Sequence, residues 1–420
     1  MIKKWLLSFL LVGKIAAGQT NQLTLSQAYE FAQKNYPFIK QKNLVKQAET
    51  LTIENLQKGY LPQVNINGQA TYQSDVTGID ISLPGIKIES PAKDQYKVLA
   101  DVNQIVYDGG LIAQQAKAAR LNADVEEQRV EVELYKLKDR VNQLYLGILF
   151  LDQQIKQADI QKRDVEVGLK QVDAQVRNGV ALRSNLNVLR AQLLQTDQRV
   201  IELQSSRKGF IETLSLFLSK PLDEQTMFEV PAVDVAAATN ISRPELKLYE
   251  NQSMLVQQQN KLVTAKNLPK ASLFGQAGYG RPGLNLLKNE FDWFYVAGVR
   301  LNWPLGNLYT MKTEKKLNAV SMQLIDVQKE TFLLNTNTQL KQQQSEIEKI
   351  TKLIEADRDI IDLRAQVKEA AKAQLQNGVI TANDYLREVN AEDQARQLLI
   401  NHEIQLLQAK INYQTTLGKQ

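Results

Sequence analysis

The chain spells out the same amphipathic strand twice. "YLPQVNINGQATY" at 60–72 returns as "NLPKASLFGQAGY" at 267–279, and the steps from Leu61 to Leu268, Pro37 to Pro244 and Tyr72 to Tyr279 are all 207 positions. In the first copy Val64, Ile66, Gly68, Ala70 and Tyr72 alternate with Gln63, Asn65, Asn67, Gln69 and Thr71. A period of two with one apolar or small face and one amide or hydroxyl face reads as a strand. A second pair of matches, "AQVRNGV" at 174–180 and "AQLQNGV" at 373–379, is offset by 199 positions. The change of offset places a length difference between Tyr72 and the next strand, and the whole pattern reads as a tandem duplication.

Most of the remaining chain is helical in pattern. Leu134, Leu137, Val141, Leu144, Ile148, Leu151, Ile155 and Ala158 are spaced alternately three and four apart, and Val165, Leu169, Val172 and Val176 continue the register. Such a sustained heptad seam predicts coiled-coil packing. Leu186, Leu189, Leu193, Thr196, Val200 and Leu203 resume it, followed by Phe210, Leu214 and Phe217. The second half repeats the plan from about Thr310, where the amide-rich "NTNTQLKQQQSE" at 335–346 interrupts the seam. Asn178–Gly179 and Asn377–Gly378 stand where each long helix should reverse, glycine tolerating the left-handed conformation that ends a helix.

The expected organisation is a signal peptide at 1–18, a first repeat at 19–229, a linker at 230–244 and a second repeat at 245–420. The first repeat carries a strand pair at 61–74 and 96–107 and a helical hairpin at 109–218. The second carries strands at 269–280 and 291–305 and a hairpin at 310–418. The leader reading rests on Lys3 and Lys4, the apolar run 5–12, and Ala16, Ala17 and Gly18 before the cut. Past it, no run approaches the ~18–20 apolar residues of a membrane-spanning helix.

Several classes of chemistry find no residues here. The 420-residue chain has no cysteine and one histidine, His402, which in a helical pattern reads as a packed or surface residue. The net charge of +5 is dispersed among acids, so nucleic acid is not an expected partner. Acid pairs such as Glu126–Glu127 read as solvated helix faces, and no phosphate loop or metal spacing occurs. We therefore expect neither an enzyme nor a cofactor.

The strands point elsewhere. They are ten to thirteen residues long, against ~9–11 for a tilted transmembrane strand. Trp293, Tyr295 and Trp303 would lie near the ends of an apolar band, where membrane barrels carry aromatic girdles. Val64, Ile66 and Tyr72 would then face lipid, while Asn65, Asn67 and Gln69 would line water. A small soluble sheet packed on helices is the competing reading, weakened because the heptad helices already bury their seams in one another. Four strands cannot close a barrel, since membrane barrels begin at about eight, and open edges are not tolerated in lipid. A barrel would have to be shared among several chains.

With its tandem halves, "LP" before each strand pair, long helices and "NG-V" reversals, the sequence resembles the outer membrane efflux protein family, the TolC-like channels. The resemblance implies a mainly α protomer with a transmembrane β-barrel portion, in which a homotrimer forms a 12-stranded barrel in the outer membrane of a Gram-negative bacterium, on an α-helical tube in the periplasm. It implies a passive, gated exit duct of a tripartite efflux pump or type I secretion system, working with a periplasmic adaptor and an inner-membrane transporter. It also implies adaptor docking at the helix reversals, carried here by Asn178, Gly179, Val180, Asn377, Gly378 and Val379. Asp384 matches an aspartate that lines the closed entrance in relatives; a helix N-terminal charge is the other reading of it. Arg387, Ile380, Leu375 and Asn185 depart from the residues that some relatives carry around that entrance. A periplasmic coiled-coil adaptor, or a structural protein without a pore, is the alternative; an adaptor would show one hairpin rather than two. An exported enzyme on a helical scaffold would need a catalytic constellation that the chain does not show.

Overall fold

In the computed structural model, residues 22–76, 92–234, 240–286 and 288–419 are described. The expected leader at 1–18, most of the segment between the first two strands, and residues 235–239 of the expected linker lie outside them. The elements run β1 (Gln22–Leu23), α1 (Leu25–Asn35), α2 (Lys40–Gln57), β2 (Gln63–Tyr72), β3 (Asp94–Tyr107), α3 (Leu111–Arg177), α4 (Arg183–Leu218), β4 (Met227–Phe228), α5 (Pro244–Lys266), β5 (Lys270–Arg281), β6 (Asp292–Asn302), α6 (Leu308–Gln376) and α7 (Ala382–Leu417). The chain is mainly helical, and α3 and α6 are 67 and 69 residues long. At 1.5 Å per residue each spans about 100 Å.

Compactness does not follow the two halves of the sequence. One unit gathers Lys40–Val132 and Pro244–Leu334; the other gathers the residues up to Ile39, Glu133–Arg243 and those from Asn335 onward. Each therefore draws corresponding segments from both halves, because α3 and α6 are too long to belong to either unit alone.

The first unit holds one antiparallel sheet in the order β2-β3-β5-β6. The central pairing joins the halves, Val98 opposite Tyr279 and Ala100 opposite Ala277. The register puts Val64, Ile66, Val98, Val102, Leu273, Tyr279, Trp293, Tyr295, Val299 and Leu301 on one face. The strict alternation of β2 fixes this register, since a one-residue slip would turn every side chain over. The outer sides of β2 and β6 carry no strand partner within the described chain.

The second unit is helical. α1 starts at Thr24, whose hydroxyl accepts from the Gln27 amide while the Gln27 side chain accepts from the Thr24 N–H, and stops before Pro37. Its Leu25, Ala28 and Ala32 join Leu137, Val141, Tyr145 and Ile148 of α3, Ile211, Leu214 and Leu218 of α4, and Ile411 of α7 in one apolar core. A second core nearer the reversals joins Val165 and Val172 of α3 to Leu186 and Leu189 of α4, Ala371 and Leu375 of α6, and Tyr385, Leu386 and Val389 of α7. Most heptad positions of α3 are buried as expected, Leu144, Ile155, Leu169 and Val176 only partly, but Phe210 is not a seam residue. It is exposed and lies over Gly147, and Ile211 fills the seam instead.

Tyr145 ties the short ribbon to this core. Fully buried, its hydroxyl lies 2.6 Å from the Leu23 carbonyl and 2.7 Å from that of Glu229, at the ends of the parallel β1–β4 pair. Tyr145→Phe should destabilise the protein by about 1–2 kcal/mol, because it removes from a dry site the one proton that the two carbonyls share, the Leu23 carbonyl keeping the Glu229 N–H. Thermal unfolding of variant and parent side by side measures the difference, and unchanged stability would remove the ribbon from the core's account.

Candidate functional site

Two places carry the features singled out in the sequence: the sheet and the paired helix reversals. On the sheet, the apolar face lies open. Ile66 is 78% exposed, Trp293 76%, Tyr295 79% and Leu301 74%, so these large side chains have little cover among the described residues. At one end Tyr279 packs on Trp293 and Phe291, with ring centroids 5.1 and 5.5 Å apart, and Tyr96 stacks on Phe291. At the other end Trp303 follows β6, its indole N–H donating to the Asn267 carbonyl at 3.2 Å.

Tyr107 joins that end by a device the sequence hides. A bulge between Ile105 and Tyr107 breaks the alternation, so that Ile105 faces Ser272 but Tyr107 faces Ala271 and turns to the apolar side. Bulges re-aim side chains in this way. Strict parity would have put Tyr107 on the polar face.

The opposite face is not wholly polar, contrary to the alternation read from sequence. Asp101 accepts from Asn67 at 2.7 Å and from Gln276, as expected of a wetted face. Leu99, Phe274, Phe294 and Val296 share it, however. Phe274 lies across Gly298, while Leu99 and Phe294 close over Gly278, covering backbone that a glycine leaves bare. Arg300 caps the patch, its guanidinium 4.7 Å from the Phe274 ring centre.

The two reversals have one geometry. Gly179 and Gly378 have φ of +74° and +71°, where an L side chain is strained, and a Cβ at either would meet nothing. Around them Val180 N–H donates to Gln175 O at 2.8 Å and Gly179 N–H to Val176 O at 3.1 Å; Val379 and Gly378 repeat the pair to Gln374 O at 2.9 Å and Leu375 O at 3.1 Å. These are Schellman endings. Asn178 and Asn377 are the last residues before the turning glycines, and the Asn377 side chain donates to Ala373 O. Val180 and Val379 are 72% and 71% exposed, so each reversal presents an apolar side chain to its surroundings.

Past the turns the halves differ. α4 begins at Leu182 with no side-chain cap, whereas α7 begins with a capping box. Asp384 Oδ2 accepts from the Thr381 hydroxyl at 2.7 Å and from its N–H at 3.1 Å, and the Asp384 N–H donates back to Thr381 Oγ1. The Thr381 hydroxyl, then its N–H, hold the Asp384 carboxyl below the usual range, with Arg387 adding to the effect. Within the chain, then, the residue has the helix N-terminal role.

Sequence reading missed what joins the helices above the turns. Lys368 of α6 lies 2.8 Å from Asp164 of α3 and 2.7 Å from Glu392 of α7, and Arg396 reaches Glu392 at 2.6 Å. Burial disfavours the Lys368 ammonium, but its bonds to Asp164 and Glu392 outweigh burial and raise its pKa. For Glu392 burial is likewise outweighed, by Lys368 and Arg396, and its pKa falls. The neighbouring Asp393 shifts the other way, because burial exceeds the help of Gln157, Arg199 and Gln397. No local pattern announces partners some 200 positions apart.

Lys368→Met should cost about 2 kcal/mol, since it leaves Asp164 without its cation and Glu392 with Arg396 alone. The sign with pH follows from the shifts. The raised Lys368 contributes fully below its ordinary 10.5 and loses that contribution as pH rises through its higher folded value. The lowered Glu392 contributes above its ordinary 4.5 and loses it as pH falls through its lower folded value. Melting temperatures of parent and Lys368→Met should therefore differ by a constant amount from about pH 5.5 to 9 and converge at the extremes; a gap that moves within the neutral range would contradict this assignment.

Residues 17–218 match the Outer membrane efflux protein family. No curated protein matches the chain in sequence. Its fold is similar to that of CusC, solved in a study of transmembrane channel formation, at 16% identity and a TM-score of 0.68 over 94% of this chain and 92% of that one. It is also similar to VceC, an outer membrane protein of Vibrio cholerae, at 13% identity and a TM-score of 0.66 over 94% and 96% of the two chains. The open state of MtrE, an outer membrane channel of Neisseria gonorrhoeae, matches at 15% identity and a TM-score of 0.65 over 94% and 89%. Among the described residues no helix is long and apolar enough to cross a membrane. The first half of the chain thus matches the outer membrane efflux protein family, and the fold is shared with these channel structures along nearly the whole length.

Proposed function

We propose that the protein is the outer membrane exit duct of a tripartite efflux pump or type I secretion system, a gated conduit that performs no covalent chemistry. The observation that carries this reading is the four-stranded sheet whose broad face is open and apolar and whose two edges are unpaired. In water that face would be an aggregation hazard. In a bilayer it is the surface lipid requires, provided that the edges are closed by neighbouring copies. Two copies would give eight strands and three would give twelve; the family resemblance favours a homotrimer.

The dimensions support it. Trp293 and Trp303 are ten residues apart on one face, ~33 Å along a strand, and a tilt of ~35–45° shortens this to about 25 Å, the height of a membrane barrel's apolar band. With Tyr295 they would mark its two aromatic girdles. The helices also carry uncovered stripes that neighbouring copies would bury. Leu317, Val320, Leu324, Val327 and Leu334 of α6 follow heptad spacing and are 50% to 67% exposed. The cell location would be the outer membrane of a Gram-negative bacterium, the helices reaching into the periplasm toward an inner-membrane transporter.

The exposed Val180 and Val379, set on fixed turns with Asn178, Gly179, Asn377 and Gly378, are suited to receive a periplasmic adaptor. Asp384 would bring one carboxylate per chain to the entrance.

Extracted in mild detergent, the protein should image as a three-fold particle and conduct ions in planar bilayers; a water-soluble monomer would sink the duct reading. For the entrance, Asp384→Asn should weaken block by polyvalent cations, while Thr381→Ala, which removes only the cap, should leave block intact. Equal effects from both variants would mean that Asp384 acts through the helix end alone.

A further inference from the structure

The amide run of α6 that interrupts the heptad seam is not explained by the duct as a whole. In the fold it builds a cavity of about 220 Å³ with polar walls. Gln339 and Gln343 of α6 face Asn142 and Gln143 of α3 and Gln408 and Asn412 of α7 across it. Two polar atoms in this wall are buried without a partner among the described residues, one of each kind. The Asn142 side chain is 1% exposed and its Oδ1 accepts from the Tyr29 hydroxyl, but its Nδ2 donates to nothing. Gln343 Nε2 donates to Thr416 Oγ1 at 3.0 Å, but its Oε1 accepts from nothing. A buried orphan donor and a buried orphan acceptor facing one polar space call for an occupant that can both accept and donate.

The charges at the wall favour a neutral one. Arg243 and Asp139 contribute one charge of each sign, and Arg243 is already engaged, lying over the Tyr135 ring and donating to the Thr415 carbonyl. A bound ion would meet no net charge of the opposite sign. Water satisfies both orphans, and the volume holds several molecules at ~30 Å³ each.

The location gives these waters a consequence. Along α6 the dry contacts sit elsewhere: α6 adds nothing to the upper apolar core and joins the lower one only through Ala371 and Leu375. Ile350, Ile354 and Ile361 are buried but belong to neither core. A dry seam has to be unpacked before a helix can shift, whereas bonds through water re-form after a small displacement. We propose that the amide run of α6 builds a permanent water site against α3 and α7, and that this wetted contact is the joint along which α6 shifts when the duct opens. The water site stands on its own geometry; the opening motion rests on the duct reading above.

The test has two arms. A high-resolution structure of the detergent-purified wild-type assembly should show ordered waters bridging Asn142 Nδ2 and Gln343 Oε1. An empty or collapsed cavity would overturn the site. In planar bilayers, Gln339→Leu/Gln343→Leu, which restores an apolar seam, should match or exceed the wild type in thermal stability while its open probability falls by about tenfold. Gln339→Asn/Gln343→Asn, which keeps the amides, should gate like the wild type. Wild-type gating in the leucine variant, or equal loss in both variants, would overturn the joint. A wild type that conducts nothing would sink the duct reading and the joint with it, leaving the water site to be judged by the density alone.

Discussion

Backbone hydrogen bonding at the edges of a four-stranded sheet is the constraint from which the rest follows. Every N–H and C=O on the outer sides of β2 and β6 needs a partner, and the apolar face beside them needs a non-aqueous neighbour. Water could satisfy the first need but not the second, and lipid the second but not the first. In the proposed duct, a surface closed by further strands and wetted by lipid would meet both. On that reading the sheet is a segment of wall that further copies would complete. The central pairing of β3 with β5 serves that end, joining the two halves into one continuous segment of wall so that only two edges are left to close.

Length and stability are divided differently in the helices. A 67-residue helix could not be held by propensity alone, and its stability comes from what its faces bury. The structure provides that burial in two dry cores, one against α1 and the β1–β4 ribbon and one above the reversals. Near the second, Lys368 joins α6 to both α3 and α7 through ion pairs. Such pairs add less to stability than to choice of geometry, since removing one partner is far costlier than never having had the pair. The helices are thus joined by dry cores and ion pairs toward the reversals and by amides around the polar cavity.

The sequence made the repetitive parts legible and hid the singular ones. Period two in β2 and the three-four spacing of α3 are readable because each residue repeats the statement of its neighbours. The paired Asn–Gly sites are readable because glycine's left-handed freedom is a local property. The bulge before Tyr107 is a single break in a pattern that still looks alternating, so strict parity would place that ring on the wrong face. Phe274 and Phe294 were passed over because a period-two reading expects polar residues there; the clue was the glycines opposite them, Gly298 and Gly278. The Lys368–Asp164 pair joins residues from opposite halves and has no local signature at all. Phe210 and Ile211 show the finer limit. Both fit a helical stripe, and only the presence of Gly147 across from Phe210 decides which one enters the core.

The two readings of Asp384 turn out to support each other. The capping box holds its carboxylate through Thr381 and keeps it ionised well into acid, because both bonds favour the charged form. A charge acting on passing ions has to be present at the working pH, which an exposed aspartate meets with or without the cap, and the cap extends that range further into acid. The cap occupies Oδ2 with its own helix, so the position of the group is set by the turn at Gly378 and not by what passes it. The first half has no equivalent, since Leu182 offers no side-chain cap and Asn185 stands where an acid could have been. In the proposed assembly the capped carboxylate just past the reversal would therefore come from the second hairpin of each chain alone, and any selectivity it confers would follow the placement of α7.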